Sequence, residues 1–228
     1  MKLEKLRVAL DGPGGAGKST VAKAVAAKTG LIYVDTGSLY RTVGLYMARH
    51  GIDAYDVEGI IAALPQVDIK LTYEDGKQCV SLCGEQIGDK IRTEEASYYA
   101  SAVSKIPEVR AFLLDMQRSL GDAGGVIMDG RDIGTVIMPD AEIKVFMTAT
   151  VEERARRRFR EQQEKGIDVT FEDVLSSIIA RDKQDSEREA APLKAADDAI
   201  IFVNDGHTVE TSAEHIIGLM QEYVAKNS

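Results

Sequence analysis

The chain has 228 residues, 28 Lys and Arg against 37 Asp and Glu, a formal net charge of −9 and 44% hydrophobic residues. That balance suits one α/β domain with a sizeable core and argues against bulk binding to nucleic acid or an anionic membrane. No stretch approaches the roughly 18 apolar residues of a membrane span, and the opening residues run into a strand without a signal-peptide core, so a cytoplasmic protein is expected.

Arg7 to Leu10 reads as a short buried strand. Gly12-Pro13-Gly14-Gly15-Ala16-Gly17-Lys18-Ser19 follows, an unbroken G-x-x-x-x-G-K-[ST], and Ser19 to Thr29 then reads as an Ala-rich helix stopped by Gly30. Strand, glycine loop, helix is the order a triphosphate-binding loop requires. The glycines turn backbone N–H groups onto an anion and the helix N-terminus adds positive potential. Lys18 can reach the β- and γ-phosphates, and the Ser19 hydroxyl can ligate Mg²⁺.

Leu31 to Val34 is the second expected strand, ending in Asp35-Thr36-Gly37-Ser38-Leu39-Tyr40-Arg41. A long excursion follows, with a β-hairpin expected from Asp68–Tyr73, a Glu-Asp-Gly-Lys turn and Cys79–Leu82. Residues 37 to 105 are therefore expected to form an inserted segment, since a structureless loop of that length is improbable in a compact domain. Cys79 and Cys83 lack C-x-x-C spacing and a nearby histidine, and read as packing residues. Pro107 suits the first turn of a helix running to about Leu120.

Gly125–Met128, Ile143–Met147 and Ala199–Val203 are the remaining expected strands, and alternation with helices predicts a three-layer α/β sandwich around a five-stranded parallel sheet. Thr150 with Glu153, and Thr211 with Glu214, fit helix-capping boxes. Asn204-Asp205-Gly206 reads as a turn with a possible approach to a donor base. Open parallel sheets bind ligands beyond the carboxyl ends of their strands. There this chain places the glycine loop, Asp35–Arg41, and Asp129-Gly130-Arg131-Asp132. Arg154, Arg157 and Arg158 stand at i, i+3 and i+4, so they share a helix face and can converge on a triphosphate. The alternatives for that patch are a solvated face and a nucleic-acid contact, the latter disfavoured by the acidic chain and the lack of an aromatic platform. Phe171, Val174, Leu175, Ile178 and Ile179 form an apolar stripe, while Arg181, Asp185 and Arg188 form a polar one. These arginines exceed what one triphosphate needs, which points to a second phosphate-bearing substrate.

Taken together the motifs resemble the bacterial cytidylate kinases over nearly the whole chain. The resemblance rests on Asp11–Ser19, Asp35–Arg41, Ala100-Ser101 with Pro107-Glu-Val-Arg110, Asp129–Thr135, Glu153–Arg158, and Arg181–Arg188 followed by Ala191-Pro-Leu193. It implies a P-loop kinase fold with a core over about 1–36, 106–150 and 170–228, an acceptor-binding insertion over about 37–105 and an arginine-rich lid over about 151–169. It implies transfer of the γ-phosphoryl group of MgATP to CMP or dCMP, with no nucleic-acid or membrane partner and a monomeric, cytoplasmic enzyme. ATP would lie against Gly12 to Thr20 with Arg154, Arg157 and Arg158. Arg41, Arg131, Arg181 and Arg188 would hold the acceptor phosphate, the last three acting in catalysis with Lys18. Asp185 would bind the ribose, and Ser101, Arg110 and Asp132 the cytosine edge, with Thr36 and Tyr40 in the same acceptor site. Thr36 stands where many relatives carry serine, and Ser19 replaces the glycine of some. A kinase for UMP, dTMP or shikimate is the nearer rival reading. A nucleotide switch or nucleic-acid-stimulated ATPase is the more distant one; no Asn-Lys-x-Asp motif and no apolar run ending in Asp-Glu supports it.

Overall fold

The computed structural model describes residues 2–74 and 77–227. In chain order its elements begin with β1 (Arg7–Asp11), α1 (Lys18–Thr29), β2 (Ile32–Asp35), α2 (Thr36–Arg49), α3 (Val57–Ala63), β3 (Ile69–Glu74), β4 (Lys77–Leu82) and β5 (Glu85–Gln86). They continue with α4 (Glu94–Val103), α5 (Pro107–Asp122), β6 (Val126–Gly130), β7 (Ile143–Thr148), α6 (Val151–Glu164), α7 (Phe171–Glu187), β8 (Ile200–Val203) and α8 (Val209–Lys226). Two compact units result, Met1–Ile32 with Gly124–Ser228, and Tyr33–Ala123.

All five expected strands are present and form one parallel sheet of order β2-β6-β1-β7-β8. The fold class is α/β, as expected, with helices alternating with the strands of that five-stranded sheet. The strands are legible because a strand of a parallel sheet is covered on both faces and reads as an apolar run. Val8, Ala9 and Leu10 are accordingly at most 1% exposed. Register places Asp11 opposite Gly130 on one side and Phe146 on the other, and Thr148 opposite Val203. The carboxyl ends of β1, β6, β7 and β8 thus finish at one rim.

On this frame α1 begins at Gly17, whose φ of +94° is left-handed, and ends at Gly30, whose N–H closes on Ala26 O at 2.9 Å. Gly12 has φ of +144°, and a Cβ there would stand 1.9 Å from Met147 O. Gly12→Ala should therefore cost at least ~3 kcal/mol through backbone strain and a contact with a rigid strand, seen as a lower urea midpoint.

Two helix starts differ from expectation. The Thr150 hydroxyl accepts from Glu153 N–H, but Asp205 takes the Thr150 N–H while Glu153 turns to Arg157, so the box is not reciprocal. The last helix begins three residues early, because Thr208 and Thr211 cap it reciprocally: the Thr208 hydroxyl accepts from Thr211 N–H and the Thr211 hydroxyl from Thr208 N–H. In α7 Val174 is buried and Phe171 packs edge-on against Phe159 of α6, but Ile179 is 52% exposed and leaves the apolar stripe. No helix among the described residues is long and apolar enough to cross a membrane.

The second unit contains α2 to α5 and a three-stranded antiparallel sheet, β3-β4-β5. The expected hairpin is present, with Ile69 opposite Leu82; Asp75 and Gly76 of its turn lie outside the described residues. Compactness draws this unit's bounds at Tyr33 and Ala123 rather than 37 and 105, because Ile106, Val109 and Leu113 of α5 bury into the same cluster as Leu39 and Val43 of α2. Cys79 is only half-buried and Cys83 is exposed at a left-handed φ of +48°, so the hairpin end places Cys83 outside the core.

Candidate active site

Within the first unit the glycine loop is held from behind. Gly14 O accepts from Arg154 Nη1 at 3.1 Å, and Ala16 O accepts from Arg157 Nη1 at 3.1 Å and Asn204 Nδ2 at 2.9 Å. In a trans peptide the following N–H points opposite to the carbonyl, so these contacts turn the N–H groups of Gly15 and Gly17 to the other side. That side faces an anion in a loop of this kind.

The arginines of α6 bond protein groups around that loop. Arg154 is 3% exposed and forms a two-point pair with Asp182, at 3.0 and 2.5 Å, while its Nε donates to Ala149 O. Arg157 spends its fork on Ala16 O, on Asn204 O at 2.7 Å and on Glu153 at 2.9 Å. Arg158 pairs with Glu161 at 3.1 Å, at the surface. The shared helix face is real, but the first two arginines brace the loop and the third faces outward.

Beside Arg157 opens a cavity of about 280 Å³ lined by Gly17, Thr20, Val21, Glu153, Arg157, Arg160, Asn204, His207 and Val209. Asn204 is fixed there by Ser212 Oγ, which donates to its Oδ1 at 2.6 Å. Asp205 and Gly206 form the expected turn, so this segment serves both as turn and as pocket wall.

Lys18 is buried and donates to Pro13 O at 2.8 Å. Burial, followed by the nearby Arg131, pushes its pKa down, against the pull of Asp129, Asp11 and Asp185. Ser19 Oγ donates to Asp129 Oδ2 at 2.6 Å. A hydroxyl and a carboxylate oxygen beside a phosphate loop fit Mg²⁺, a hard cation that takes few protein ligands and completes its shell with water and phosphate. Among the described residues no group of three or more His, Cys, Asp or Glu side chains is placed to hold a metal ion.

A second cluster surrounds Asp185, which is 4% exposed. Arg131 Nε donates to it at 2.9 Å, with Arg188 Nη1 at 3.9 Å and Arg181 Nε at 4.0 Å. Arg188 Nη2 is also 3.8 Å from Asp132 Oδ1. Helix α7 stops at Glu187; beyond it Arg188 Nε donates to Ala191 O and Leu193 N–H to Asp185 O, so a tight turn rather than the helical stripe aims Arg188 inward. Arg131 also stands at the glycine loop, its Nη2 3.5 Å from where a Gly14 Cβ would be. Burial raises the Asp185 pKa, but Arg131, Arg181 and Arg188 together outweigh it and hold the carboxyl below its usual value. Its stabilising contribution is therefore present above about pH 4 and lost as pH falls through the depressed pKa. Asp185→Asn should cost about 3 kcal/mol at pH 7 by leaving Arg188, whose side chain is 5% exposed, and the half-buried Arg131 short of a counter-charge. Urea titrations of mutant and wild type should converge below pH 4.

The other predicted residues belong to the second unit. Asp35 caps α2 through Ser38 N–H and pairs with Arg41 Nη2 at 2.6 Å. Thr36 is buried at the start of that helix. Arg110 is buried, donates to Ser104 O, and places its guanidinium 5.6 Å from the centre of the Tyr40 ring. Ser101 lies half-buried on α4. Gln78 was not foreseen: it accepts from Asp35 N–H and donates to Ser38 Oγ, bracing the cap from the hairpin. Asp182 was likewise missed, and its only sequence signal is its position on the Arg181–Arg188 segment.

A glycine loop between buried strand and helix, a hydroxyl–carboxylate pair beside it and an arginine cluster at the same rim define a P-loop phosphotransferase with a second anionic substrate. The chain belongs to the cytidylate kinase family, whose model matches residues 8–222. It is 46% identical over 222 residues to a cytidylate kinase from Caldicellulosiruptor bescii, covering 97% of this chain and 98% of the relative. With a cytidylate kinase from Bacillus pumilus it shares 50% over 214 residues, covering 94% and 95%. A solved structure of an uncharacterized protein from Eubacterium ventriosum aligns with a TM-score of 0.52 over 95% of this chain and 98% of that one. At 12% identity, that is a likeness of fold alone.

Proposed function

We propose that this nucleoside monophosphate kinase moves the γ-phosphoryl group of MgATP to the α-phosphate of CMP and dCMP, giving ADP and CDP or dCDP. The observation that carries the reading is Arg131, which stands at Gly14 of the glycine loop and is bonded to Asp185 amid the arginine cluster. One guanidinium thereby serves the donor loop and a second anion site.

No general base is needed, because the acceptor phosphate is already an oxyanion. Catalysis consists of holding the two phosphates in line and neutralising charge, the work of Lys18, Arg131, Arg181 and Arg188. Ser19 and Asp129 would hold Mg²⁺, which when bound supplies charge neutralisation on the triphosphate. The triphosphate lies against Gly12 to Thr20, on the backbone N–H groups that all of them but Pro13 supply, and the donor base takes the cavity beside Arg157 and Asn204. Asp185 binds ribose, and Asp132 accepts from the cytosine N4 amino group. From the second unit Arg41 is assigned to the acceptor phosphate, Ser101 and Arg110 to the base, and Thr36 and Tyr40 to the same nucleotide. Residues 37–105 act as the acceptor segment and 151–169 as a lid that limits hydrolysis by water. A cytoplasmic monomer is the form proposed to work.

The test is an acceptor panel of CMP, dCMP, UMP, dTMP and shikimate, read by coupled ADP release with and without Mg²⁺. CMP and dCMP should be used at least ~100-fold better than the others in kcat/KM, and turnover should stop without the metal. Preference for another acceptor, or RNA- or DNA-stimulated hydrolysis without acceptor phosphorylation, overturns the reading.

A further inference from the structure

One buried carboxylate at the rim has no part in that chemistry. Asp11 ends β1 immediately before Gly12, is 4% exposed, and accepts two backbone N–H groups, Oδ1 from Ile133 at 2.8 Å and Oδ2 from Gly134 at 2.7 Å. Among the described residues no side-chain cation hydrogen-bonds to it. A carboxylate buried with no cation bonded to it is costly, even with the Lys18 charge in its neighbourhood, and a strand end has no need of one. A carboxylate alone offers an acceptor oxygen to each of two consecutive amides. Serine has one oxygen, and asparagine would set an NH₂ against one of the two N–H groups.

Those amides directly follow Arg131 and Asp132. Asp132 sits at φ −147°, ψ 25°, outside helical geometry, and its carbonyl accepts from Val136 and Ile137 as the chain winds into the wide turn Ile133–Ile137. The first N–H groups of such a turn have no partner within it. Asp11 takes them. The fit is close: a Cβ on Gly134 would stand 3.4 Å from Asp11 Oδ2 and 3.3 Å from Lys144 Cδ.

We infer that Asp11 is a positioning residue for acceptor recognition, tying the strand that carries the donor loop to the backbone that presents Arg131 and Asp132. The inference rests on the proposed assignment of those two residues to the acceptor. Asp11→Asn breaks one of the two bonds and lets the Arg131-Asp132 backbone drift, without touching the loop carbonyls that Arg154, Arg157 and Asn204 hold. A misplacement of order 1 Å is enough to cost large factors in a phosphoryl-transfer site.

Steady-state kinetics with ATP, CMP and UMP provide the test. In Asp11→Asn the KM for CMP should rise about tenfold or more and the CMP-over-UMP ratio should fall by a similar factor, with the KM for ATP within about twofold. Gly134→Ala keeps the carboxylate but crowds the same bonds, and should show the same split at smaller amplitude even where Asp11→Asn fails to fold. A uniform loss for both substrates, or unchanged selectivity in both variants, overturns the inference. Asp132→Asn is the control: unchanged selectivity there sinks the acceptor assignment, and the inference with it. A change there without one in either Asp11 or Gly134 variant sinks the inference alone.

Discussion

Lys18→Ala is expected to lower kcat for CMP phosphorylation by about 10³-fold or more, some 4 kcal/mol of transition-state stabilisation, while the protein stays folded. The Lys18 ammonium is buried, and among the described residues its one hydrogen bond is to Pro13 O. Burial and the adjacent Arg131 oppose its charge, so the folded protein gains little from holding it there. What removal leaves behind is one carbonyl without a donor, a loss of order 1 kcal/mol, offset by relief of the buried charge. Thermal unfolding followed by circular dichroism should therefore shift by only a few degrees in either direction. Lys18→Arg should rescue poorly, because a planar fork does not fit a buried position shaped for a compact ammonium. Near-wild-type turnover in Lys18→Ala would remove Lys18 from the mechanism; collapse of the fold would make it a structural residue.

The sheet was legible because its strands are uninterrupted apolar runs, and the glycine loop because its spacing encodes a backbone shape. The arginines were legible as types and faces but not in their partners. Arg154 and Arg157 share a helix face as periodicity requires, yet what they bond, the carbonyls of Gly14 and Ala16, is backbone some 140 residues away and leaves no mark in side-chain spacing. Arg188 looked like the end of a helical stripe, whereas the Ala191–Leu193 turn beyond α7 sets its direction. The Asp11 carboxylate and the Asn204 amide nitrogen bond backbone groups, and single polar residues after strands are as often turn formers as site residues. Cys83 shows the opposite failure: a residue type most often buried stands exposed because the chain turns there through a left-handed conformation.

Asp132→Asn should have its largest effect on the choice of base. A carboxylate is an acceptor only, so it suits the N4 amino group of cytosine and repels the O4 of uracil, whereas an amide can turn its NH₂ toward O4. Polar sites of this kind reject the wrong ligand by large factors because the mismatch leaves buried groups unpaired. The CMP-over-UMP ratio of kcat/KM should fall by about 100-fold or more, through loss on CMP and gain on UMP. The substitution also acts by a second route. Asp132 lies 3.8 Å from Arg188, and its neutralisation removes one carboxylate from the cluster that Arg131, Arg181 and Arg188 form around Asp185. With those arginines proposed to hold the acceptor phosphate, which CMP and UMP share, the added positive charge should change both KM values by the same factor and cancel in the ratio. The ratio therefore isolates base reading from the electrostatics of the cluster. Equal changes for the two acceptors would mean that Asp132 works through Arg188 alone and that the cytosine edge is read elsewhere.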